Sequence, residues 1–170
     1  RRFNNMYQSP LFPEPEAFNY GSDLIKIPGL DGNGKMGKSE NNGIFLIDDE
    51  ATITKKVKKA VTGMTPTEPN SPMTEEVNNL FTIMKVVSSQ DTIQFYRDKY
   101  NSCEIRYGDM KKQLAEDICK LTLPIRERIL EILKDDEYLR KVAKMGAEKA
   151  RESASKTVYE LKKLIGFKNF

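Results

Sequence analysis

The chain has 170 residues, 38% hydrophobic and 31% charged, and a net charge of +3. That suffices for one domain, or a small domain with part of another, and no run approaches the ~18 apolar residues of a membrane span. Histidine is absent, which removes imidazole acid–base chemistry, Ser-His and Cys-His nucleophile pairs and most zinc sites.

The first segment, "RRFNNMYQSPLFPEPEAFNYG", carries no apolar h-region and so is not a signal peptide. It also lacks an initiator Met, so the chain is expected to begin mid-protein. Pro10, Pro13 and Pro15 oppose helix and favour extended backbone. "DLIKI" (Asp23–Ile27) reads as a short strand closed by Pro28-Gly29, and "IFLI" (Ile44–Ile47) is a second apolar run. Between them, "LDGNGKMGKSENNG" has four glycines, three asparagines and two lysines, the composition of a mobile loop.

Helical periodicity then takes over. "DDEATITKKVKKAVTG" starts with acids and ends with Lys and Gly63, and Ile53, Val57, Ala60 and Val61 share a face. "MTPTEPNSP" is a connecting loop. Val77, Leu80, Phe81, Met84 and Val87 line a second helix, and "SQDTIQFYRDKY" makes a short third. "YGDMKKQLAEDICKLTLPIRERILEILKDD" is a longer helix in which Pro124 should kink or divide the rod, at roughly 3 kcal/mol if unaccommodated. In the last helix Ala147, Ala150, Ala154, Val158, Leu161 and Ile165 recur at three- and four-residue steps, the pattern of a core face in a bundle, and Gly166 closes it. Cys103 and Cys119 lack disulfide or metal-ligand spacing, which suits a reduced, cytoplasmic setting, and Cys119 reads as a small core residue.

The loop carries the chemistry. Lys35 and Lys38 can converge on one small anion, Gly32, Gly34 and Gly37 let the backbone approach and present N–H groups, and Ser39 adds a hydroxyl. That set suits a polyphosphate. Only two residues separate Gly34 from Gly37, so the spacing is not that of a nucleoside-triphosphate P-loop. A solvated Lys/Gly/Asn surface loop has the same composition.

"KMGKS" (Lys35–Ser39) resembles the Lys-Met-Ser-Lys-Ser signature of class I aminoacyl-tRNA synthetases, with Gly37 in place of the serine. "IPGLDGNGKMGKSENNGIFLIDDEATITKKVKKAVTG" is similar to the family segment leading from the nucleotide-binding domain into the first helix of the C-terminal domain. "LTLPIRERILEIL" and "VAKMGAEKARESASKTVYELKKLIGF" resemble the closing helices of the tryptophanyl branch. The resemblance spans Arg1 to Phe167.

It implies a mainly α fold: the C-terminal remnant of a Rossmann-like α/β nucleotide-binding domain over residues 1–47, then an all-α helical bundle over 48–170 that binds the tRNA anticodon. It implies Lys35 and Lys38 as catalytic lysines gripping the ATP pyrophosphate. Leu24, Lys35, Met36, Gly37, Lys38 and Ser39 become ATP-binding positions, with Mg²⁺ accompanying the nucleotide. Leu24 would offer backbone to adenine, across an apparent two-residue insertion in "PGLDGNG". Gly37 should loosen the loop, raising the ordering entropy of closure by ~1 kcal/mol at most. The implied activity is ATP-dependent attachment of tryptophan to tRNA(Trp) by a homodimeric full-length enzyme. The family's His-x-Gly-His element cannot lie in a chain without histidine. The chain therefore resembles a C-terminal half, expected to be inactive alone.

The helical half adds little by composition. From Asp135 to Lys163 basic residues outnumber acidic ones by eight to six, as on any solvated helix. Lys55, Lys56, Lys58 and Lys59 form a denser patch that can meet phosphates, or simply favour the helix C-terminus. Tyr96, Tyr100, Tyr107 and Arg106 are base-stacking residues by type only. Two other identities fit the sequence: the tyrosine-specific relative, and a non-catalytic helical RNA-binding or interaction module.

Overall fold

The computed structural model describes residues 1–18 and 26–167. Among them the chain is mainly helical, in the order α1 (Arg2–Tyr7), α2 (Glu50–Lys58), α3 (Glu75–Val87), α4 (Gln90–Asn101), α5 (Tyr107–Ile132) and α6 (Asp136–Leu164). The described residues contain no strand, and their one bridge is an isolated antiparallel pairing of Pro28 with Lys35. Most of the expected Asp23–Ile27 strand, Leu24 included, lies outside the described residues. The Ile44–Ile47 run turns back on itself, with Asp48 N–H donating to Phe45 O at 3.0 Å and Leu46 and Ile47 exposed. The chain divides into two compact units, Ile25–Glu131 and Arg1–Leu24 with Ile132–Phe170.

In Ile25–Glu131 the apolar stripes of four helices meet in one cluster. Ile53 and Val57 come from α2, Val77, Leu80 and Met84 from α3, Ile93 from α4, and Met110 and Leu114 from α5. Each such side chain stabilises the fold by ~1.5–3 kcal/mol on full burial. Leu30 joins the same cluster, so the glycine-rich loop is moored to the helical core at its first residue. Cys119 is buried there as expected.

The tyrosines serve the scaffold. The hydroxyls of Tyr100 and Tyr107 each donate at 3.1 Å, to Pro72 O and Met64 O, tying down both ends of the connecting loop. Tyr96 donates to Asp109 O. Pro124 does not divide α5, which runs unbroken over 26 residues. Pro124 and Lys120 are both exposed, so the carbonyl left without an i+4 donor is open to water. Ser89 Oγ caps α4 by accepting from Thr92 N at 3.2 Å. Ser89→Ala is expected to destabilise Ile25–Glu131 by ~1 kcal/mol in urea unfolding, with the slope unchanged.

In the other unit, Pro10, Pro13 and Pro15 lie outside any helix, and they are preceded by a six-residue α1 that the sequence reading did not place. Asn4 makes it possible: its side chain donates to Phe12 O and accepts from Phe12 N, folding the segment so that Phe3 packs on Tyr7 and Phe12. The alanine-rich stripe of α6 departs from expectation. None of its 29 residues is buried, and Val142, Met145, Val158 and Tyr159 are exposed. A helical apolar period shows that a face can be covered, not that this chain supplies the cover. Gly166 ends α6 at φ 79°, with Phe167 N donating to Lys162 O at 2.8 Å, the left-handed closure expected of a glycine there. No helix among the described residues is long and apolar enough to cross a membrane.

Candidate nucleotide-binding loop

The loop is built on a platform at Ile27–Asp31. Met36 N donates to Ile27 O at 2.8 Å beside the Pro28–Lys35 bridge, and Val61 N donates to Leu30 O at 2.9 Å, fastening the platform to the end of α2. Gly32 and Gly34 take left-handed φ of 80° and 55°, so the reversal between platform and lysines needs residues without a Cβ. The returning segment of the loop is anchored by Lys56. Its ammonium donates to Gly43 O at 3.1 Å and Asp48 Oδ2 at 2.6 Å and lies 4.6 Å from the centre of the Phe45 ring. One lysine of the α2 patch is thus structural; Lys55, Lys58 and Lys59 are exposed.

Asn42 sits inside this frame, 6% exposed. Its Oδ1 accepts from Gly37 N at 3.0 Å, its Nδ2 donates to Asp31 Oδ1 at 3.1 Å and toward Lys35 O at 3.4 Å, and its carbonyl accepts from Leu30 N at 2.9 Å. A Cβ on Gly29 would stand 2.3 Å from Asn42 Nδ2 and 2.5 Å from Asp31 Oδ1, so the cluster exists only against a glycine. The Asn33 N–H and the Asn42 amide hold the Asp31 carboxyl below its usual range. Its folded form is favoured above the ordinary carboxylate pKa, and that contribution disappears as pH falls through the depressed value.

The expected site residues separate into fixed and free. Lys35, Met36 and Gly37 are held through their backbones; Met36 is half-buried and its Sδ accepts from Ile44 N at 3.5 Å. Lys38, Ser39, Glu40 and Asn41 form an exposed turn. Neither the Lys35 nor the Lys38 ammonium has a hydrogen bond or ion pair among the described residues, and both side chains are exposed. Two unpaired cations on a glycine-bearing loop can receive an anion without first breaking an existing bond. The described residues hold no cluster of three or more His, Cys, Asp or Glu able to hold a metal ion.

Sequence spacing also missed a mostly apolar hollow of about 550 Å³ lined by Thr54, Lys58, Gly108, Lys111, Lys112 and Ala115. Lys111 donates to Lys58 O at 3.4 Å, and burial lowers its pKa. The partners come from α2 and α5, so no local pattern joins them. A larger hollow of about 790 Å³, beside Phe95, Lys99 and Arg106, shares no residue with the loop.

The family described as tRNA synthetases class I (W and Y) matches residues 1–122. The tryptophan–tRNA ligase of Porphyromonas gingivalis is 55% identical over 168 residues, 99% of this chain and 51% of that protein. That of Chlamydia caviae is 32% identical over 95% of this chain and 46% of its own length. Among solved structures, tryptophanyl-tRNA synthetase from Campylobacter jejuni, complexed with ADP and tryptophan, superposes with a TM-score of 0.71 at 28% identity, over 97% of this chain and 50% of that one. Tyrosyl-tRNA synthetase from Aeropyrum pernix shares the fold at a TM-score of 0.51 and 20% identity, over 68% of this chain and 36% of that one. The chain spans about half the length of the curated relatives it matches.

Proposed function

The chain belongs to the class I tRNA synthetases of the tryptophan and tyrosine group, and on that premise we propose that it supplies the ATP-gripping loop and the tRNA-binding helices of a tryptophan–tRNA ligase. The tryptophan assignment follows the 55% identity to a ligase of that name. The observation that carries the chemistry is the pair of unpaired, exposed ammonium groups at Lys35 and Lys38 on a loop moored to the core.

In this reading ATP lies with its β- and γ-phosphates against the loop, tryptophan's carboxylate attacks the α-phosphorus, and pyrophosphate leaves. Negative charge accumulates on the leaving group, where Lys35 and Lys38 neutralise it; backbone N–H and the Ser39 hydroxyl add donors. Mg²⁺ would enter with the nucleotide and supply further charge neutralisation at the phosphates beside Lys35 and Lys38. Residues 1–47 are the remnant of the nucleotide domain, Leu24 among its adenine contacts, and residues 48–170 are the anticodon-binding part. The tryptophan pocket and the histidine-bearing element belong to the remaining half of a homodimeric, cytoplasmic enzyme. The 170 residues alone make no aminoacyl-adenylate.

The lysines bordering the smaller hollow support the RNA half of the reading, because Lys58 and Lys112 are exposed beside it on two helices. Lys58→Ala with Lys112→Ala is expected to weaken tRNA binding uniformly across sequences. The slope of log affinity against log salt should fall by roughly 0.7–0.9 per lost phosphate contact. Tryptophan-dependent pyrophosphate exchange should stay unchanged. Amino-acid activation tested with tryptophan and tyrosine decides the specificity: turnover with tyrosine alone overturns it.

A further inference from the structure

We propose that Asn42 is a positioning residue for the lysine loop: it locks Lys35–Gly37 to the platform, so that closure is confined to Lys38–Asn41 swinging about Gly37. The proposal rests on the synthetase reading above. Nearly every residue of the loop is exposed or half-exposed, yet Asn42 is 6% exposed. A buried amide is costly unless its polar groups are met, and here every one has a partner in the loop or its platform. The orientation of the amide follows from chemistry: the Gly37 N–H can only donate, so the atom facing it is the oxygen, which leaves the nitrogen for Asp31 and Lys35 O.

The two lysines therefore play unequal parts. Lys35 leaves a backbone bridged to Pro28 and bracketed by the Asn42 contacts at Lys35 O and Gly37 N, so its ammonium is aimed from a fixed base. Lys38 leaves a turn whose one internal side-chain bond is a long Ser39–Glu40 contact, so it can travel. Rigid aim favours the charge that develops only in the transition state, whereas a lysine that must first be ordered loses that advantage. Asn42 acts through Lys35 and touches no substrate.

The experiment is steady-state pyrophosphate exchange on the full-length synthetase containing this segment. Asn42→Ala is expected to lower kcat at least tenfold with KM for tryptophan unchanged. Asn42→Asp keeps the acceptor for Gly37 N–H but sets a carboxylate against Asp31, and should be slower still at neutral pH. Because Asn42 acts through Lys35, its loss should cost less than about twofold further in a Lys35→Ala background while keeping at least its tenfold cost in a Lys38→Ala background. A merely space-filling Asn42 would cost the same in both backgrounds. Asn42→Ala within twofold of the parent overturns the proposal, as does an equal cost in the two lysine backgrounds. Where Asn42→Ala does not fold, Asn42→Asp read in the same two backgrounds decides. Lys35→Ala with Lys38→Ala, run alongside, separates the two ideas. If the lysine variant is slow and the asparagine variant is not, only this inference falls; if neither is slow, the synthetase reading falls with it.

Discussion

Replacing Lys35 and Lys38 together by alanine in the full-length enzyme is expected to slow adenylate formation by two or more decades, about 3 kcal/mol or more of transition-state stabilisation. The size follows from where the charge is. Pyrophosphate departs with charge that water would otherwise have to solvate, and both ammonium groups are unpaired and exposed, so neither is diverted to a structural partner. Tryptophan KM should hold, because these side chains meet the phosphates. Folding should also hold: the loop is moored through backbone groups, Leu30 and Asn42, none of which the two substitutions touch. A fall of less than tenfold, with urea midpoints matching the parent, would remove the catalytic role and leave the non-catalytic RNA-binding alternative in place.

The second large effect is on stability. Leu114 is fully enclosed at the middle of the helical cluster. Leu114→Ala removes three carbons and leaves a void that α2, α3 and α4 can fill only by moving rigid neighbours, which places the loss at ~2–5 kcal/mol. The change is best followed by near-ultraviolet circular dichroism. Tyr96 and Tyr100 are buried in the same cluster and tryptophan is absent, so their signal reports that packing. Leu121, exposed seven positions further along the same helix, is the control, and its alanine variant should stay within ~0.5 kcal/mol. A Leu114→Ala midpoint within that range would mean the cluster is not the source of the unit's stability.

The helices that pack were legible because period speaks directly to burial. The stripe of α3 at Val77, Leu80, Phe81 and Met84 is the buried face observed. Where a feature depends on a distant partner, the sequence was silent. The six-residue α1 rests on one asparagine reaching Phe12, a contact no local pattern announces. The stripe of α6 was read as a core face, but no residue of α6 is buried. Pro124 was expected to kink or divide α5; the helix is not divided, and exposure there lets water serve the freed carbonyl. In the loop, Lys35 and Lys38 stood out by charge. Asn42 did not, since Asn41-Asn42-Gly43 has the look of ordinary turn chemistry and nothing local marks the middle residue as buried. Lys56, one of four near-identical lysines, is likewise set apart only by Gly43, Asp48 and Phe45.

The bare surface of α6 bears on how the molecule comes apart. With none of its 29 residues fully buried, α6 depends more on its own helix–coil balance than α3 or α5 do, and frays inward from Asp136 and Leu164. Its amide protons should exchange on a shorter clock than those of α3 and α5, whose opening requires dismantling the cluster. Heating would then register two events, a broad loss of helicity followed by a sharper collapse of the tyrosine signal, and a single melting temperature would not describe the whole chain.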